Sequence, residues 1–346
     1  MFALQSAPRA QPHRFARSLV AALAAATVAV AAPAAVADDD DDDRVGDLLR
    51  AVKRARIIDL SHTWDTKSPI AGVNPPYKFE LNRTHAAFPP FPGTRGLFGD
   101  GGQLSFTSEV MQWSGQHGAP SIDALGHIGR DGKLFGGVDA AAATSDLERG
   151  IAGSGRHLAI DRFPKDLLIN RGVLLDVARL VNGDLSPLPP GFEITARHLE
   201  QAAKRHRVKL RKGDTVFIRT GWGQYFKSAP ALYLGEDSPG PGLNGAEFLI
   251  KHGARVVGND TLTFEKRPPI AGPPEAPTFQ IFPVHMRLIA DKGIFIIENL
   301  DLEGLAKARA YEFVAVVPPL KVRGGTGSAL RAFALARPRD DDDDDD

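Results

Sequence analysis

Between His117 and His127 the chain carries two imidazoles, a carboxylate and a hydroxyl: His117, Ser121, Asp123 and His127. Side chains on an extended strand alternate with period two, so a strand here would put His117, Ser121 and Asp123 on one face. Imidazole and carboxylate together form a hard-to-borderline donor set suited to Zn or Mn. His127 follows Gly126, which permits a turn, and a base next to a cation-bound water is the usual arrangement for hydrolysis. Core or surface histidines satisfied by ordinary hydrogen bonds are the plain alternative. A serine nucleophile, Ser121 with His117 or His127 as base, is the rival chemistry. The segment has no Gly-x-Ser-x-Gly elbow to support it.

The elements that must position these groups can be read along the chain. Ile57 to Leu60, Val173 to Val177, Thr215 to Arg219, Arg255 to Val257, Ile294 to Ile297 and Tyr311 to Val317 read as strands. Asp47 to Ala55, Thr195 to His206 and Ala246 to His252 read as helices, the last closed by Gly253. Met286 to Ala290 reads as a short helix after His285. Strands and helices alternate only in part, which predicts an α/β fold with a mixed sheet in one domain over residues 45–337. Phe88 to Gly102 is a long loop with aromatic punctuation, expected to be a pocket wall, a lid or a plain surface excursion. Gly324-Gly325-Thr326-Gly327 lacks the Lys of a phosphate loop and reads as a flexible C-terminal segment.

Read in order, His117-Gly118-Ala119-Pro120-Ser121-Ile122-Asp123-Ala124-Leu125-Gly126-His127 resembles the signature of the metal-dependent cyclase family. That family includes bacterial kynurenine formamidases and isatin hydrolases, and its signature runs His-x-Gly-Thr-His-x-Asp-x-x-x-His. Ala119 and Pro120 depart from it mildly. Ser121 departs more, because it stands where the family has its second His ligand. Further segments resemble the family in the same order: Ile58-Asp59-Leu60-Ser61-His62, Lys212 to Trp222, Pro241-Gly242-Leu243, Gly253 to Thr261, and His285 with Gly293 to Leu300.

The resemblance implies a compact domain with a swivelling β/β/α core. It implies that His117, Ser121 (by position) and Asp123 bind a first divalent metal, Zn or Mn. Asp123 would bridge to a second metal in two-metal members, with His285 and Glu298 completing that site. His127 would be the acid/base, assisted by Glu298. For Ser121, three outcomes stay open: water fills the position, His62 or Gln116 replaces it, or the site is lost. Among Trp64, Trp113 and Trp222, Trp113 is the expected substrate contact, and Trp222 is expected in the core with its N–H satisfied.

Composition bounds the rest. Arg9, Arg14 and Arg17, an apolar run from Leu19 to Ala32, and Ala35-Val36-Ala37 read as a cleaved signal peptide over residues 1–37. The expected location is therefore periplasmic or secreted. The absence of Cys excludes disulfides and a lipoprotein anchor. Without residues 1–37 the net charge is −3. Setting aside the aspartates of Asp38 to Asp43 and Asp340 to Asp346 leaves a body at +10. Both runs are expected to be disordered, the first as a linker over residues 38–44 and the second as a tail over 338–346. No basic-aromatic motif supports a nucleic-acid partner, and no membrane association is expected after cleavage. The family suggests a homo-oligomer, dimer or tetramer.

The combined expectation is a metal-dependent hydrolase of a C–N bond in a small amide, formamide or lactam, of arylformamidase type. Its alternative is a catalytically degraded binding protein of the same fold.

Overall fold

The computed structural model describes residues 39–337 apart from 70, 73, 86–103 and 117. The expected signal peptide, the Phe88 to Gly102 loop, His117 and the acidic tail lie wholly or mainly outside the described residues. The chain divides between Leu48 and Leu49 into two units. Of the first, the described part is the start of helix α1 (Asp39–Arg54). Most of the expected acidic linker, from Asp39 on, falls within the backbone of α1.

The second unit is built on a nine-stranded sheet. Its strands in chain order are β1 (Arg56–Asp59), β2 (Ser121–Asp123), β3 (Ile169–Asp176), β4 (Thr215–Arg219), β5 (Val256–Asn259), β6 (Phe295–Glu298), β7 (Glu312–Val316), β8 (Gly327–Ala329) and β9 (Phe333–Ala336). The spatial order is β1-β9-β7-β3-β4-β5-β6-β2-β8. The central β3-β4-β5-β6 block is parallel. Both flanks are antiparallel. The sheet is mixed, as the partial alternation of strands and helices predicts.

Central strands buried on both faces must be apolar at consecutive positions, and these are. Leu174, Phe217, Val256, Phe295 and Ile297 fill one core cluster. Val173, Leu175, Val216, Ile218, Val257 and Ile296 fill the other. Helices α2 (Ala196–Arg205) and α3 (Leu243–Lys251) cover the second cluster with Leu199, Ala202, Ala246 and Leu249. Thr195 caps α2, accepting the His198 backbone N–H. Gly253, at φ 72°, ends the turn after α3.

One expectation at the C-terminal end is corrected. Gly327 belongs to strand β8 and is not part of a flexible segment. The turn before it is pinned as well: the Gly324 N–H donates to Asp161 Oδ1, Gly325 O accepts the Ile160 N–H, and Thr326 O accepts the Ala124 N–H. These partners are remote in sequence, so local composition could not reveal them. Met286 to Ala290 is a short helix, as expected, wound as a π-helix.

Candidate metal centre

The site begins on β2, which is only three residues long. The expected extended run from His117 to Asp123 is replaced by a turn at Ala119-Pro120 that leads into Ser121–Asp123. Within the strand the period-two rule holds. Ile122 joins the hydrophobic core, and Ser121 and Asp123 point to the opposite face. Registry then supplies the neighbours. Glu298, at the end of β6, lies directly across from Ser121, and on the other side Gly327 lies across from Asp123. A Cβ at Gly327 would sit 2.5 Å from Gln116 Nε2, so glycine is what lets the Gln116 amide lie against β8.

His285 reaches the same place from the helical turn Pro283–His285. Its Nε2 is 3.1 Å from Glu298 Oε1 and 3.8 Å from Asp123 Oδ2. One donor atom each from Asp123, His285 and Glu298 lie within 4.8 Å of one another, and all three residues are buried. On the far side of the ring, His285 Nδ1 is 2.5 Å from Glu265 Oε1. His127, whose side chain is 30% exposed, has its Nε2 3.9 Å from Asp123 Oδ1.

Three carboxylates, Asp123, Glu265 and Glu298, thus converge on one imidazole. Burial first, and then the neighbouring Asp123 carboxylate, push the Glu298 carboxyl up to about 7, against the pull of the His285 hydrogen bond. Burial alone would lower His285, but the hydrogen bonds to Glu265 and Glu298 outweigh it and hold the imidazole well above its ordinary range. The donor chemistry fits a divalent cation. Excess negative charge is gathered in a dry place, and Asp123 Oδ1 and Ser121 Oγ are buried with no hydrogen-bond partner among the described residues. Such orphaned groups are costly unless something else satisfies them.

The cluster opens onto a cavity of about 220 Å³. Trp64, Phe226, Leu262 and Phe282 supply apolar walls, and His127 and Glu298 face the same space. A concave apolar site with a few convergent polar groups is the usual form of a small-molecule pocket.

Of the residues expected at the site, the structure brings Asp123, His285 and Glu298 together and places His127 and Ser121 beside them. His117 lies outside the described residues. Among the described cavity-lining residues it is Trp64 that faces the space, and Trp113, the expected substrate contact, packs edge-on against it at 6.3 Å. Trp222 is in the core, as expected, but its indole N–H has no acceptor among the described residues. His62 does not replace Ser121 in the cluster. It stacks on Phe226 at 4.3 Å and its Nδ1 is 3.8 Å from Asp301 Oδ2. Gln116 lines the cavity and donates to Thr326 Oγ1. Among the described residues Ser121 Oγ has no hydrogen-bonded base, so a serine nucleophile gains no support from them.

Two residues near the site were not anticipated. Glu265 follows Phe264, whose backbone is left-handed at φ 48°, and nothing in its local sequence marks it. Asn299, also left-handed at φ 59°, accepts from Tyr233 Oη and donates to the Gly118 carbonyl. Asn is among the few non-glycine residues that tolerate the left-handed region, so its place directly after Glu298 was the available sequence signal for Asn299.

Comparison with known proteins identifies the family. A family model described as a putative cyclase matches residues 58–266. An isatin hydrolase from Roseibium aggregatum is 30% identical over 179 residues, 46% of this chain and 62% of that protein. The match therefore spans less than two thirds of the relative's length. A crystal structure described as a novel cyclase superposes with a TM-score of 0.68 at 26% identity, covering 85% of this chain and 92% of the other. A predicted metal-dependent hydrolase from Bacillus stearothermophilus shares the fold, with a TM-score of 0.50 at 17% identity over 81% and 97% of the two chains. The family match ends before His285 and Glu298, so it is the fold that adds those two side chains to Asp123.

Proposed function

The chain belongs to the putative cyclase family, and we propose that it is a metal-dependent hydrolase that cleaves a C–N bond in a small amide, formamide or lactam. One observation carries this reading. Asp123, His285 and Glu298 form a buried three-donor cluster, with an Asp123 oxygen unpaired among the described residues, at the floor of an apolar cavity. The likeness to isatin hydrolase supports the lactam end of the substrate range.

Asp123, His285 and Glu298 would hold the cation, and the sequence signature adds His117 to them. Zn or Mn suits this mixture of imidazole and carboxylate. When bound, the ion lowers the pKa of a coordinated water and polarises the substrate carbonyl. The protein does the rest. Trp64, Phe226 and Phe282 seat the organic body of the substrate and exclude bulk water. His127, between Asp123 and the cavity, accepts the proton of the attacking water and returns it to the leaving nitrogen. Asp123 keeps the protonated imidazole close by, at 3.9 Å. An aryl amine leaves readily once protonated, so no covalent nucleophile is required.

One observation favours a second reading. Ser121 stands where the family signature has an imidazole, and a neutral hydroxyl is a weaker ligand. On that reading the chain is a binding protein that has kept the fold. Export to the periplasm, carried by residues 1–37 alone, and self-association belong to the proposal as expectations. A panel of formamides, lactams and lactones assayed with Mn, Zn and Mg tests the activity. Metal-dependent opening of a lactam or formamide supports it. Metal binding with no turnover on any of them supports the binder.

A further inference from the structure

Glu265 contributes no atom to the three-donor cluster, yet its carboxylate braces the back of His285. Its Oε1 accepts the His285 backbone N–H at 3.0 Å and lies 2.5 Å from His285 Nδ1. Its Oε2 accepts the Val284 N–H at 3.2 Å. Glu265 is only 2% exposed, and its segment is fixed from behind. The Lys266 N–H donates to Pro241 O and the Arg267 N–H to Ser238 O. Gly240 lies so close that a Cβ there would be 2.4 Å from Phe264 O and 2.5 Å from the Glu265 carbonyl carbon. The carboxylate is therefore held on a rigid strap while three N–H groups converge on it.

We propose that Glu265 is the positioning residue of the metal centre: by taking the Nδ1–H of His285 it turns the Nε2 lone pair toward Asp123 and Glu298. The inference rests on the metal-dependent reading above. An imidazole offers a cation only the nitrogen that carries no proton, and the partner of the other nitrogen decides which one that is. A carboxylate in that role fixes both the tautomer and the ring plane, and raises the basicity of the ligating nitrogen. Nε2 is also the nitrogen nearest Glu298 and Asp123, at 3.1 and 3.8 Å. The competing explanation is local: with two backbone N–H groups bound, Glu265 would only cap the turn at Pro283–His285. The amide of Gln separates the two in part, since it has one acceptor oxygen for three N–H donors and no charge.

The test is a double-mutant cycle on metal affinity, which needs no substrate. Mn²⁺ and Zn²⁺ binding to the full-length protein is measured by chelator competition, and by calorimetry for weak sites. The four proteins are the wild type, Glu265→Gln, His285→Ala and the double variant. Circular dichroism checks the fold. If Glu265 acts through His285, Glu265→Gln weakens binding by about 10- to 100-fold in the wild-type background. It changes binding by less than about twofold when His285 is already Ala, since the two effects are then not independent. Equal weakening in both backgrounds, or wild-type affinity in Glu265→Gln, overturns the assignment while leaving the metal-dependent reading intact. A wild-type protein that binds neither ion overturns both. Should Glu265→Gln fail to fold, Glu265→Asp keeps the charge on a shorter arm and carries the same cycle, with the same dependence on His285 expected.

Discussion

A site assembled to hold a cation should cost stability when the cation is removed, and Glu298 shows where. Its carboxyl is pushed from an ordinary 4.5 up to about 7 by burial and by the neighbouring Asp123. In the metal-free protein the folded state therefore binds more protons than the unfolded state between those two values. The contribution of Glu298 to stability is therefore greatest below about pH 4.5, falls as pH rises through 7, and is level above that. The shift corresponds to about 3 kcal/mol. Replacing Glu298 by Gln keeps the shape and the acceptor for His285 but removes the ionisation. We expect Glu298→Gln, with EDTA present, to be more stable than the wild type at pH 8 by about 2–3 kcal/mol, and to lose most of the downward slope between pH 5 and 7.5. His285, raised above its ordinary range, contributes a slope of the same sign that persists in the variant. Urea titrations across this pH range measure both quantities. A Glu298→Gln protein that is less stable than the wild type at pH 8, with an unchanged slope, would refute the like-charge crowding from which the centre is argued.

Other outcomes follow from the same geometry. Asp123→Ala should abolish retention of metal through gel filtration, whereas His127→Ala should retain it and lose about 10²- to 10⁴-fold in turnover. Full activity in His127→Ala would remove it as the base. Ser121→His should tighten metal binding, because position 121 faces the same side as Asp123 and stands across from Glu298; unchanged affinity would mean that this face is not a ligand position. Away from the site, Arg219 is fully buried and pairs with Asp176 at 2.9 Å and Glu303 at 2.7 Å. Arg219→Met strips Glu303 of this partner and leaves Asp176 only Arg179, at 3.4 Å, and should cost about 3–5 kcal/mol in urea unfolding, against little change if water reaches the carboxylates.

Much of this architecture was legible in the residues. Thr215 to Arg219 is a strand with the bounds read from its apolar run, and the helices at Thr195 and before Gly253 are set by a cap and a left-handed stop that act locally. Asp123, His285 and Glu298 could be named because they fall on segments resembling a known family. What was not legible depends on pairing across the chain. β8 looks like a glycine-rich coil until β2 lies beside it. Trp64 and Trp113 are equivalent in composition, and only the packing of one on the other decides which lines the cavity. Glu265 lies 20 residues before His285 with no motif between them. Its contact is made by the fold.

The most direct measurement is the metal content of the purified full-length protein after reconstitution with Mn or Zn and removal of excess ion, beside Asp123→Ala treated identically. The account predicts near-stoichiometric metal in the wild type and almost none in the variant. No bound metal in the wild type, or equal metal in both, would contradict it.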